Sequence, residues 1–159
     1  MEQPSRQRQP SHEPEGFLFS ESAISSDLID AYRATAYHFD AETPFVLTVG
    51  QASPALAHLY SKHRCQCAAY VTASNPFSQV TNDAENQRRH SELVEELKNR
   101  SLHFVESMDR DTRGQWPGEA SCLVLGLSLE AAKKLGRHYE QNALVWCGPD
   151  TVPQLVLLR

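Results

Sequence analysis

The sequence predicts an α+β protein: a mixed, largely antiparallel sheet with helices, holding a ferredoxin-like (split βαβ) core over about residues 67–147, preceded by a further helix and strands. Three observations carry this expectation. Short apolar or β-branched runs alternate with longer segments of helical period. From Cys67 to Cys147 the order is strand, helix, strand, strand, helix, strand. A hydrophobic fraction of 40% and a charged fraction of 22% over 159 residues suit one globular domain with its own core.

Residues 1–20 are rich in Pro, Gln, Ser, Glu and Arg without apolar period, so they read as a disordered tail ahead of a single domain at 21–159. A helix capped by Ser25 or Ser26 places Leu28, Ile29 and Tyr32 on one side as far as Ala34. Thr35 to Phe39 and Phe45 to Val49 are β-like, and the turn Asp40 to Pro44 between them suggests a hairpin. Ser53 followed by Pro54 starts a second helix, with Leu56, Leu59, Tyr60 and His63 at helical spacing. Cys67 to Ala73 reads as a buried strand closed by the turn Ser74-Asn75-Pro76.

Asn82 with Glu85 three residues on forms a capping-box-like start for a long helix to about Arg100, buried through Leu93, Val94 and Leu97. Leu102 to Glu106 is a strand, followed by a polar loop containing Asp109, Asp111, Gly114 and Trp116. Ser121 to Leu125 is a buried strand, and the helix after Gly126 to Ser128 lines up Leu129, Ala132, Leu135 and Tyr139, with Glu130 and Lys134 outside. Asn142 to Cys147 is a strand ended by Gly148-Pro149-Asp150, and Leu155 to Leu158 adds a last one.

In the split βαβ plan the strand 67–73 lies between 121–125 and 142–147 and runs antiparallel to both. Its C-terminal end then meets their N-terminal ends. That geometry gathers Asn75, Glu119, Gln141 and Asn142 at one edge of the sheet, with Asn86, Arg89 and His90 in the first turns of the long helix and Trp116 in the loop above. A helix N-terminus, one arginine, several amides and a stacking face point to a small anionic ligand such as a nucleotide. The same residues have plainer readings: Asn75-Pro76 as a turn, Asn82-Glu85 as a cap, and Arg89 as a surface partner of Glu85.

Nucleotide, dinucleotide, hydrolase and calcium-loop signatures are absent, so no cofactor is expected. Glu119 is the best acid or base candidate, and Asp109 and Asp111 could supply metal oxygens but read first as part of a flexible acidic loop, so no metal site is expected. Cys65 and Cys67 form a CxC pair without a second pair to complete a metal cage, and read with Cys122 and Cys147 as small buried hydrophobes. Net charge of -5 disfavours a nucleic-acid coating protein. With no bilayer-length apolar run and no secretion signal, a cytoplasmic protein is expected.

Thr72-Ala73-Ser74-Asn75-Pro76, Glu85-Asn86-Gln87-Arg88-Arg89, Gly114-Gln115-Trp116-Pro117, Glu119 to Leu127 and Gln141 to Trp146 resemble the motifs of a bacterial family of small uncharacterised proteins, catalogued as a domain of unknown function. The resemblance extends over about residues 30–159 and implies no catalytic roles. Ser74 stands where it implies an aromatic residue, so no stacking face is expected there. The leading expectation is therefore a ligand-binding or regulatory module using Asn75, Asn86, Arg89, Gln141 and Asn142 with Trp116 as a lid. The alternatives are an enzyme acting on a phosphate ester or nucleic acid through Glu119, and a protein-interaction adaptor.

Overall fold

The computed structural model describes residues 23–39, 44–111 and 119–159. The expected tail, most of the turn at 40–44 and Trp116 lie outside the described residues. The elements follow in order as α1 (Ser26–Ala34), β1 (Thr35–Phe39), β2 (Phe45–Leu47), α2 (Pro54–His63), β3 (Ala68–Thr72), a short 3-10 turn (Pro76–Ser78), α3 (Asp83–Asn99), β4 (Phe104–Asp111), β5 (Glu119–Leu125), α4 (Leu129–His138), β6 (Ala143–Cys147) and β7 (Pro153–Leu157).

The helices begin where their caps predict. Ser53 Oγ accepts from Leu56 N at 3.1 Å with Pro54 in the first turn, Asn82 Oδ1 accepts from Glu85 N at 2.8 Å, and Ser128 Oγ accepts from Ala131 N at 3.3 Å. The Glu85 carboxylate turns outward to Arg88 Nε at 3.0 Å. The surface partner of Glu85 is thus Arg88, not Arg89 as the four-residue spacing suggested, and Glu130 pairs with Lys133 in place of Lys134.

All strands join one sheet in the order β2-β1-β4-β5-β3-β6-β7, and each neighbouring pair is antiparallel. β3 lies between β5 and β6, with Val71 opposite Cys122 and Tyr70 opposite Val145. The expected hairpin forms, Tyr37 facing Leu47. It is no separate appendage, because β4 runs on through Asp109 and Asp111 and pairs with β1, Tyr37 opposite Asp109. This corrects the reading of those aspartates as loop residues: Ser107 and Asp109 lack the apolar alternation that marks a strand, yet β1 and β5 satisfy the backbone there on both sides.

Both faces of β3 are covered. Ala69 and Val71 meet Leu93 and Leu97 of α3 and Ala132 and Leu135 of α4. Ala68 and Tyr70 point the other way, into a second core with Tyr37, Phe39, Leu47, and Leu56 and Tyr60 of α2. Burial on both sides explains why β3 reads as a continuous apolar run. Gly136 in α4 sits so close to the chain end that a Cβ there would lie 2.6 Å from Leu158 Cδ1.

Candidate functional site

At its C-terminal end β3 leaves the sheet through hydrogen bonds made by side chains. Thr72 Oγ1 donates to Ala120 O at 2.9 Å and accepts from Ser74 N at 3.1 Å. Asn75 adopts a left-handed conformation, φ 48°, which asparagine tolerates better than most residues. Its amide is the hub of the edge: Nδ2 donates to Glu119 Oε1 at 2.7 Å, while Oδ1 accepts from Thr81 N at 3.0 Å and Asn86 Nδ2 at 2.8 Å. Asn86 Oδ1 in turn accepts from Asn75 N at 2.9 Å and from Thr81 Oγ1 at 2.6 Å. Two donors on one side and a carboxylate on the other fix which end of the Asn75 amide is oxygen.

Arg89 turns inward from α3 and closes the same edge from beneath. Its Nε donates to Ala73 O and its Nη2 to Tyr139 O, both at 2.6 Å, and Nη1 lies 3.6 Å from the Glu140 carboxylate. Gln141 Nε2 donates to Ser74 O at 3.1 Å and Tyr139 O at 3.0 Å. Asn142 Nδ2 donates to Ser78 Oγ at 3.0 Å, and its Oδ1 accepts from Arg159 Nη1 at 3.1 Å. The structure therefore brings together Asn75, Asn86, Arg89, Glu119, Gln141 and Asn142, from four separate stretches of chain. Trp116 lies outside the described residues. His90 stands one step away, with Nε2 2.9 Å from Glu106 Oε1.

Of these, Asn75, Glu119 and Gln141 line a cavity of about 40 Å³ whose other walls the sequence did not single out. Tyr32 from α1, Tyr37 from β1 and Tyr70 from β3 line it with Thr72, Asn75, Ser78, Glu119 and Gln141; Leu144, Val145 and Leu155 supply apolar surface. Tyr37 and Tyr70 meet edge to face, centroids 4.5 Å apart, and Tyr37 Oη donates to Tyr32 O at 2.9 Å. The Tyr32 hydroxyl pairs with Ser78 Oγ, and that of Tyr70 with Ser121 Oγ. Burial raises the Tyr32 hydroxyl pKa, hydrogen bonds to Ser78 and Asn142 oppose the rise, and the charge of Glu119 adds to it. Tyr32 and Tyr70 read in the sequence as members of core stripes, and only long-range docking of α1 and β1 reveals their shared cavity.

The wall at 75–78 is conformationally costly. Phe77 and Ser78 also take positive φ, 53° and 60°, unusual for non-glycine residues and more so for a bulky one. Phe77 N donates to Glu140 O at 2.6 Å, Ser78 N to Asn75 O at 2.8 Å, and the Arg159 guanidinium lies 4.5 Å from the Phe77 ring centre. These contacts hold the turn over the cavity.

Among the described residues, Glu119 is the one charged side chain in the cavity lining, and it is only 8% exposed. It also borders a neighbouring open hollow of about 200 Å³ with Ser74, Asp83, Asn86, Gln87 and His90. No group of three or more His, Cys, Asp or Glu side chains is placed to hold a metal among the described residues. Cys65 and Cys67 are half-buried, with thiol pKa values raised by burial, and Cys122 and Cys147 are fully buried. No helix among the described residues is long and apolar enough to cross a membrane.

The polar edge falls inside a family match. Residues 71–144 match DUF3293, a family described as a protein of unknown function. The DUF3293 match covers just under half of the chain, narrower than the 30–159 of the motif resemblance. It contains Asn75, Asn86, Arg89, Glu119, Gln141 and Asn142, and leaves outside it α1, β1, β2, α2 and β7, with Tyr32, Tyr37 and Leu155. No curated protein and no solved structure matches the chain.

Proposed function

We propose that the chain is a small-ligand-binding or regulatory module whose ligand enters the cavity at the end of β3. One observation carries the reading: a buried carboxylate, Glu119, held in orientation by Asn75 in the wall of a cavity that three tyrosines help to enclose. A space of about 40 Å³ takes a group of a few heavy atoms, far smaller than a nucleotide. The charge of the lining speaks against the anion read from the sequence, since the Arg89 guanidinium is engaged by the Ala73 and Tyr139 carbonyls and the lining carries Glu119. In this reading Arg89 and Asn86 position the edge, and Asn75, Glu119 and Gln141 meet the ligand. Four cysteines without a disulfide among them fit a reducing compartment, and with the motif resemblance they favour action in the bacterial cytoplasm.

A thermal-shift screen of small metabolites sorted by charge tests the proposal. A ligand at a hundred times its Kd stabilises by ~2.7 kcal/mol, enough to raise the midpoint by several degrees. A screen in which no compound moves the midpoint ends it.

A second reading, an enzyme with Glu119 as acid or base, is favoured by the same carboxylate facing the cavity and its neighbouring hollow in place of bulk solvent. It predicts turnover of a phosphate ester or nucleic acid that Glu119→Gln abolishes; equal turnover in that variant removes Glu119 from the chemistry.

A further inference from the structure

The sheet ends on two unlike edges. β2 is three residues long and follows Pro44, which has no N–H to give, so it offers little to a further strand. β7 is longer and carries no charged side chain. Its pairing with β6 fixes which of its backbone groups face outward. Leu158 N donates to Asn142 O at 2.8 Å, and the register runs on from that pair through Leu144 with Val156 and Trp146 with Gln154. Hydrogen-bonded pairs alternate along an antiparallel ladder, so Gln154, Val156 and Leu158 turn their backbone groups to β6, while Pro153, Leu155 and Leu157 turn theirs away. The Pro153 carbonyl agrees with this phase, since it accepts from Gly50 N at 2.9 Å on the outer side. The outward N–H and C=O groups of Leu155 and Leu157 have no such partner among the described residues. Leu155, Val156 and Leu157 are all half-buried. Leu155 lies at the rim of the core that holds Tyr37 and Tyr60, Val156 at the rim of the one that holds Leu93 and Leu135, so both apolar layers run out to this edge.

We propose that β7 is a homodimer interface: a second copy of this chain lays its own β7 antiparallel alongside, across a two-fold axis near Val156 and Leu157, and the two sheets become one. An antiparallel edge complements itself, because the two-fold rotation brings the outward donors of one copy to the outward acceptors of the other. The side chains agree with the backbone. Apolar rows meet apolar rows on both faces, and no like charges of the two strands stand opposite each other. The other edge decides the form of the assembly. β2 is too short and too close to a proline to receive β7, so head-to-tail stacking has no second surface, and the contact closes as a pair. Left open, an uncharged edge of this kind is a template for indiscriminate strand pairing, which a closed pair removes.

The experiment is sedimentation of the full chain, from about 10 µM to about 1 mM, since a short strand ladder belongs to the small, weak class of interfaces. A reversible monomer–dimer equilibrium is expected. Hydrogen exchange on the same samples identifies the surface: the Leu155 and Leu157 amides should slow several-fold in the concentrated dimer, whereas that of Val156, bonded to β6 throughout, is protected in both states. Leu157→Pro removes an outward donor without touching the β6 ladder, on a side chain that belongs to neither core cluster, and should raise the dimer Kd about tenfold or more in a folded chain. Val156→Lys, which sets two ammonium groups near the axis, should do the same, and Val46→Lys on the β2 edge should leave association unchanged. A chain that stays monomeric over the whole range overturns the proposal and leaves the edge to a different partner. It is equally overturned by open-ended oligomers, by a dimer whose Leu155 and Leu157 amides exchange as fast as in the monomer, or by undiminished dimerisation of a folded Leu157→Pro. The exchange measurement needs only the wild-type chain, so it decides the matter even where a variant fails to fold.

Discussion

The two ends of β3 differ in what they bury. At the Thr72 end Ser74, Asn75, Glu119, Ser121, Gln141 and Asn142 are all buried and polar. At the Ala68 end the neighbours are Leu125, Cys147 and Tyr60, whose hydroxyl donates to Cys147 O at 3.1 Å and Gly148 O at 3.0 Å. The hollow beside that second end is larger, about 340 Å³, and is lined by Ala57, Tyr60, Ser61, Cys65, Gln66, Pro149 and Thr151, without a charged side chain among the described residues. Burying a carboxylate and several amides is costly unless each is satisfied, so the hydrogen-bond network that offsets this cost is concentrated at one end of the strand.

The contrast can be broken by mutation, most strongly at Arg89. Arg89→Ala should cost ~3 kcal/mol or more in urea unfolding, because the buried carbonyls of Ala73 and Tyr139 lose charged donors together. Arg89→Lys should recover only part, since one ammonium cannot reproduce the planar fork. A cost near zero would show that the edge is held without it. Asn75→Ala comes next, at ~2–3 kcal/mol, for it strips partners from Glu119, Asn86 and Thr81 and places alanine at a positive φ.

At the opposite end Cys147→Ala should cost only ~1 kcal/mol, the loss of one small buried group, with the amide spectrum around Asn75 unchanged. The same thiols set an alkaline limit. Burial pushes Cys122 and Cys147 from the usual 9.0 up to about 12. The folded chain keeps these protons longer than the unfolded one, so their contribution is complete below about pH 9 and is lost as pH rises toward 12. Unfolding midpoints measured across that window should fall, and fall less steeply in Cys147→Ala. The smallest effect belongs to Arg88→Ala, which loses only exposed pairs with Glu85 and Glu92 and should leave the midpoint where it was.

Much of this was legible in the sequence because local rules and strand order agreed. Ser53-Pro54, Asn82 and Ser128 mark helix starts by chemistry that needs no tertiary context, and the placing of β3 between β5 and β6 is enough to bring Asn75, Glu119 and Gln141 together. Only the plainer reading of Arg89, as the surface partner of Glu85, failed, and a signal existed: it lies four residues before Leu93 and eight before Leu97, on their stripe, whereas Arg88 is a hundred degrees away on the wet side. The second half of β4 was missed because its polar residues hide a pairing that only β1 explains. Tyr32 and Tyr37 were missed as cavity walls for a related reason, since nothing near them in the chain announces a cavity shared with Tyr70, Glu119, Gln141 and Leu155.

The seam between the DUF3293 segment and its flanks runs through the cavity itself. Asn75, Glu119 and Gln141 come from inside residues 71–144, while Tyr32, Tyr37 and Leu155 come from outside. A chain that keeps the segment and exchanges its flanks would keep the polar end of the cavity and re-cut its other walls. On the proposed ligand-binding reading, exchanging residues 24–39 for another sequence would alter which group the cavity accepts while leaving Asn75, Glu119 and Gln141 in place.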